Sequence, residues 1–155
     1  MMRRADREIT DFGKIVDIIE RSDVIRLGLS GEVYPYVVPL SFGYEVRDRK
    51  ISLYFHGAKE GLKHDLIAKN NRVYVEADIF RNYAKTAQSV TAEYESFIGF
   101  GTVCEVCGQE AVKGIDLLLS HCGYPTLSGA DCIAMGITRV YKITLDSFTA
   151  KQRKI

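Results

Sequence analysis

Apolar residues alternate with polar ones through most of this chain, in short runs separated by hairpin-length turns, and that period of two commits it to an antiparallel sheet. The spacing predicts a strand over 24–30, a turn at Ser30-Gly31-Glu32 and a longer strand over 34–44. Residues 47–50 make a polar turn, 51–56 a third strand that Gly57 stops, and 72–80 a fourth. A loop without clear period is expected over 81–92, then a long strand over 93–106 that Gly99 and Gly101 bend, and a last strand over 140–145. Pro35 and Pro39 cannot donate ladder hydrogen bonds, so the run over 34–44 belongs at an edge or a bulge, where bare backbone can face a ligand.

Three stretches carry the helical period instead. Thr10-Asp11 offers a cap before Phe12, Ile15, Val16, Ile18 and Ile19, ending near Arg21-Ser22. Residues 59–69 set Ala58, Leu62 and Leu66 on one stripe, closed by Asn70-Asn71. Over 109–122, Ala111, Val112, Ile115, Leu118, Leu119 and Cys122 trace one face before Gly123-Tyr124-Pro125 ends the helix. Residues 127–135 fit neither period. Antiparallel hairpins, a few helices and glycine-bent strands together predict an α+β domain whose sheet curls into a small barrel.

A chain of 155 residues with 46% hydrophobic content fits one domain with one core. Its 21 Lys and Arg nearly cancel 20 Asp and Glu, so no basic field exists to hold a nucleic acid. The basic tail over 151–154 reads as a solvated C-terminus. No apolar h-region follows the early arginines, and no run approaches the ~18 residues that cross a bilayer, so the expectation is a cytoplasmic protein without a membrane partner. Four cysteines fit that compartment as reduced thiols. Cys104 and Cys107 lie an odd number apart beside a strand and face opposite ways, which argues against a zinc site with His121, Cys122 and Cys132 and for buried thiols.

The stretch over 55–63, Phe-His-Gly-Ala-Lys-Glu-Gly-Leu-Lys, runs from a strand through small residues into a helix with no Ser, Thr, Asp or Asn to cap it. An anion would satisfy those free N–H groups, and Lys63 stands close enough to add a charge, which makes phosphate the natural ligand. Pattern alone leaves the plainer reading ahead, in which Gly57 or water caps the helix and Lys63 is an exposed lysine. His56 by itself reads as an ordinary strand-end polar residue. No Ser–His–Asp set and no phosphate-binding Gly-rich loop is present, so hydrolysis and phosphoryl transfer lose ground.

Three segments taken together resemble the nitroimidazole-resistance branch of the pyridoxamine 5′-phosphate oxidase-like, FMN-binding split-barrel superfamily. They are the opening Met-Arg-Arg-Ala-Asp-Arg-Glu-Ile over 2–9, the run Tyr-Val-Val-Pro-Leu-Ser-Phe-Gly-Tyr over 36–44, and the block over 53–63 that contains Phe55-His56-Gly57-Ala58 and Gly61-Leu62-Lys63. The likeness continues through Tyr94-Glu95-Ser96 and Gly101. It implies one antiparallel split β-barrel of Greek-key type over 1–155 with a few flanking helices, paired as a homodimer with FMN at the interface. By the same resemblance Val38, Pro39, Leu40 and Ser41 line the flavin ring with backbone, His56 and Gly57 sit by the phosphate or ring, Lys63 pairs with the phosphate, and Ser96 reaches across the dimer.

The implied activity is an FMN-dependent, nitroreductase-like oxidoreductase with a small-molecule electron donor and acceptor. His56 is its candidate catalytic group, with a structural role toward the flavin ranked higher, and no metal is called for. Two departures narrow it. The loop over 81–92 lacks the Cys and Trp common in that branch, and 139–155 lacks the Arg-x-His-Arg by which a pyridoxamine phosphate oxidase holds its substrate. The alternative from another class is a flavin- or haem-binding carrier or sensor without turnover.

Overall fold

A computed structural model describes residues 4–155; Met2 and Arg3 of the opening segment lie outside the described residues. After a single 3-10 turn and the two-residue strand β1 (Glu8–Ile9), helix α1 (Phe12–Arg21) starts where the sequence put it, with the Asp11 carboxylate accepting from the Lys14 backbone N–H at 2.9 Å. It buries Ile15, Ile18 and Ile19 against the sheet. Strand β2 (Ile25–Leu29) pairs with β3 (Tyr36–Leu40), and β4 (Gly43–Arg47) pairs with β5 (Lys50–Ala58), which carries on through Gly57. Helix α2 (Leu62–Lys69) leads to β6 (Arg72–Lys85), β7 (Val90–Val106), α3 (Gly108–His121), two 3-10 turns and β8 (Thr138–Arg153).

Seven strands follow in the order β3-β2-β6-β7-β8-β5-β4, all antiparallel, with β1 added on β8. The run expected as one strand over 34–44 is two. The chain leaves one end of the sheet at Leu40, turns through Ser41 and the fully buried Phe42, and enters the other end at Gly43. The two strands joined by this short crossing are therefore the two edges of the sheet, which curls without closing: an α+β split barrel. Pro39 sits on an edge strand, as its missing donor requires.

Leu27, Phe42, Ile51, Leu53, Phe55, Val75 and Ile143 fill the interior with no exposed surface. Helix α3 lies on the outer face, so close to β4 that a Cβ on Gly43 would stand 2.3 Å from the Leu118 backbone nitrogen. Its last residue, His121, reaches two other elements, with Nδ1 2.7 Å from the Phe42 carbonyl oxygen and Nε2 3.1 Å from that of Glu20.

Four expectations are corrected here. The segment over 81–92 is a continued hairpin, turned at Thr86, whose Oγ1 accepts from the backbone N–H of Ser89 at 3.0 Å. It showed no period because it projects past the core, leaving Phe80, Tyr83 and Val90 exposed, so burial patterns neither of its faces. The C-terminal 151–153 is ladder rather than tail, paired along β7, with Lys151 also opposite Glu8 of β1. Helix α2 starts at Leu62, not Lys59, and buries His64, Leu66 and Ile67 while Leu62 is exposed. All four cysteines are exposed rather than buried.

At the far end of the barrel Glu95 is buried and accepts from Arg81 Nη2 at 2.7 Å and Arg21 Nη1 at 3.0 Å. Burial alone would raise its carboxyl, but the two guanidiniums overcome that and hold it below the ordinary range. A depressed folded-state value stabilises the fold above the unfolded value and loses that stabilisation as pH falls through the folded one. Glu95→Gln should therefore cost about 1–3 kcal/mol at pH 7, and the gap should narrow as the wild type is acidified below pH ~4. Urea unfolding of both proteins at pH 7 and pH 3 measures this; an equal gap at both would remove the ion cluster as its cause.

Candidate functional site

β4 and β5 pair from Arg47–Lys50 to Gly43–Tyr54. Continued in register, that ladder would set Ser41 opposite His56, but the chain departs toward β3 instead. Phe55, His56, Gly57 and Ala58 are thus bonded to β8 on one side only, and β3 to β2 on one side only. Bare backbone on the β3 lip is what the prolines had indicated, the β5 lip carries none, and such groups need a partner from outside the sheet. On β3 the side chains of Tyr36, Val38 and Leu40 turn toward the core, leaving Val37 and Pro39 outward and Ser41 exposed.

Helix α2, which follows the β5 lip, packs Leu66 and Ile67 into the core. Gly61, with φ 134°, is its N-cap and supplies no side-chain bond, so the first-turn N–H groups lack a side-chain acceptor. Lys63, in that turn, folds back over Phe55, its Nζ 5.3 Å from the ring centre and 2.8 Å from where a Cβ on Gly57 would be. Only glycine at 57 leaves that space. No carboxylate lies within ion-pair distance of Lys63 among the described residues, and burial pushes its pKa down. His56 reaches the surface, yet loss of hydration and then the nearby Lys63 charge lower its pKa as well, which favours the neutral ring.

Behind them His64 is buried, with Nδ1 2.7 Å from the Tyr141 hydroxyl, and Tyr141 stacks between the rings of His64 and Phe55 at 5.5 and 5.1 Å. Which of the two donates in this bond is set by the His64 tautomer. Burial, then the charges of Lys63 and Arg139, lower the His64 pKa and favour the neutral ring.

His56, Gly57 and Lys63 are thus brought together, and Val38, Pro39, Leu40 and Ser41 follow the edge that ends beside them. Ser96 is apart. It pairs with Lys151 on β8, whereas His56 pairs with Val140, and the eleven steps from 140 to 151 span roughly 35 Å of strand. Sequence reasoning missed His64, Tyr141 and Arg139. His64 followed Lys63 in plain view, but only folding brings Tyr141 to it, and Arg139 fell one residue before the expected start of the last strand.

A family model described as pyridoxamine 5′-phosphate oxidase matches residues 11–152. No curated protein sequence matches the chain significantly. Among solved structures, a candidate 5-nitroimidazole antibiotic resistance protein of Bacteroides thetaiotaomicron is 28% identical, with TM-score 0.78 over 93% of this chain and 85% of that one. An FAD- and haem-binding protein of Mycobacterium smegmatis has TM-score 0.80 at 17% identity, over 96% of this chain and 74% of that one. An FAD-binding protein of Mesorhizobium loti has TM-score 0.68 at 18% identity, over 96% and 98%. At those two identities the likeness is one of fold. Among the described residues no helix is long and apolar enough to cross a membrane, and no three His, Cys, Asp or Glu side chains gather as metal ligands.

Proposed function

Since this chain belongs to the pyridoxamine 5′-phosphate oxidase family, we propose that it is a flavoprotein which binds FMN in the split of its barrel and acts as a nitroreductase-like oxidoreductase. The observation that carries this reading is Lys63, a half-buried ammonium without a carboxylate partner among the described residues, held at an uncapped helix start beside a glycine. A phosphate there would accept from the N–H groups of Leu62 and Lys63, those of His64 and Asp65 already donating to the Gly61 carbonyl oxygen, and offset the cost of burying the lysine. The bare β3 backbone from Val38 to Ser41 offers hydrogen bonds to the polar edge of a flavin ring.

When bound, FMN supplies the site's capacity to take up and hand on a hydride or electron pair between a small-molecule donor and an acceptor. The chain's residues bind and orient. His56, favoured as the neutral ring, offers an N–H to the flavin or to an acceptor's nitro oxygen rather than a stored proton. A phosphate dianion beside Lys63 would offset the charge that helps lower its pKa.

The second copy belongs to the same reading. Val37, Tyr74 and Phe100 stand exposed on the outer face, linked in register through Gly28, with the Tyr74 and Phe100 ring centres 5.6 Å apart and Ile98 beside them. An apolar face of this kind fits association. Ser96 shares that outer face and lies too far from His56 of its own chain, so it would serve a partner's site. The compartment we infer is the cytoplasm, where reduced flavin and free thiols are compatible.

His56 has no side-chain hydrogen bond to a second acid or base among the described residues, which keeps a flavin or haem carrier without turnover as the second reading. One preparation separates them. The purified protein should be yellow, sediment as a dimer, bleach with NADPH under nitrogen and recover its colour on adding a nitroimidazole. Colour that bleaches with dithionite but not with a nicotinamide donor, or does not return with the nitro compound, would favour the carrier. A colourless protein that takes up no flavin would end both flavin readings.

A further inference from the structure

We infer that Arg139 is a second cation of the phosphate site, and that the pair it forms with Lys63 selects the terminal phosphate of FMN over the diphosphate of FAD. This rests on the flavin reading above. Arg139 and Gly57 are Cα partners across β8 and β5, and side chains directly opposite in an antiparallel ladder share a face. Gly57 contributes nothing there, and the space its side chain would take holds the Lys63 ammonium.

The register ties Arg139 to the same point a second way. Tyr141 follows two residues on along the same face of β8, and its hydroxyl lies 2.7 Å from Nδ1 of His64, the residue after Lys63 in the first turn of α2. The Arg139 charge also helps lower the His64 pKa, after burial and Lys63. Arg139 is not tied elsewhere. Its carboxylate partner is Glu105 at 3.5 Å, with side chains 40% and 51% exposed, a pair too long and too hydrated to hold it firmly. Asp65, the other acid nearby, acts on it only through space.

The selectivity follows from charge density. A terminal phosphate monoester carries close to two negative charges near neutral pH, with a second pKa of about 6, while each phosphate of a diphosphate diester carries one. Two cations converging on one position, one of them a planar fork suited to paired oxygens, favour the dianion. Glu105 competes for the same fork, so its charge works against the ligand.

Dissociation constants for FMN, FAD and riboflavin, read from flavin fluorescence quenching at pH 7.5, test this on wild type, Arg139→Gln, Arg139→Lys and Glu105→Gln. Arg139→Gln should weaken FMN about ten-fold, FAD by less, and riboflavin not at all. Arg139→Lys keeps the charge without the fork and should fall between, and Glu105→Gln should tighten FMN. FMN affinity unchanged in Arg139→Gln, an equal loss for riboflavin, or a Glu105→Gln that fails to tighten would each overturn the inference. Should Arg139→Gln melt well below wild type, the Glu105→Gln arm decides alone. Wild type that binds none of the three removes the flavin reading itself, whereas wild type that binds FMN, loses it in Lys63→Ala and ignores Arg139 removes only this inference.

Discussion

Lys63→Ala is expected to weaken FMN binding about ten- to a hundred-fold while riboflavin binding stays nearly the same. A charge-assisted contact to a phosphate is worth roughly 1.5–3 kcal/mol, and that range converts to those factors. The free protein should hardly change in melting temperature, because two small effects oppose. The ammonium's contact with the Phe55 ring is lost, and so is the cost of keeping an unpartnered charge half-buried. The stabilisation that FMN adds should shrink in step with its affinity. A second readout needs no ligand. His56 is depressed partly by the Lys63 charge, so its titration, followed by NMR in the free mutant, should move up toward the ordinary histidine value. Equal losses for FMN and riboflavin would mean that Lys63 packs against the ring, and no loss for either would leave it a surface residue.

Phe42→Ala should remove about 3–5 kcal/mol, a large part of the 5–15 kcal/mol that stabilises an ordinary domain. The ring has no exposed surface, and the His121 imidazole meets it edge-on with centres 4.3 Å apart, so neighbouring groups cannot collapse freely into the gap. It also sits where β3 crosses to β4, pinned by its carbonyl to His121. Losing it should loosen Ser41 and Leu40 as well as the core. Urea unfolding should give a lower midpoint with an unchanged slope, and Phe42→Leu, which refills most of the volume, should recover much of the loss. Flavin affinity should fall for riboflavin as well as FMN, the reverse of the Lys63 pattern, since this change disturbs the lip beside the ring and not the phosphate. A cost below about 1 kcal/mol would show that the crossing does not depend on this side chain.

Much of this architecture was written in local pattern. Asp11 capped α1 because a carboxylate before an apolar helical stripe has the first-turn N–H groups to accept from, and β2 alternated because one of its faces is buried. That α2 would start without a capping side chain was legible for the same reason, since capping is settled within a few residues of chain, although its start lies at Leu62 and not at Lys59. What depended on the rest of the molecule was hidden. The strands on either side of Phe42 read as one because no local term separates a long strand from two that diverge; the break follows from which edges the curled sheet leaves free. The hairpin from Arg81 to Ser89 carried no period because nothing covers it. Arg139, Tyr141 and His64 lie on two elements about seventy-five residues apart, and only the β5–β8 register brings them behind Lys63. Sequence alone determined most of the elements and the absence of a side-chain cap before α2, whose causes are short-range; the split, its bare lips and the placement of Arg139 opposite Gly57 were decided by tertiary pairing, where the energy lies in contacts between residues distant along the chain.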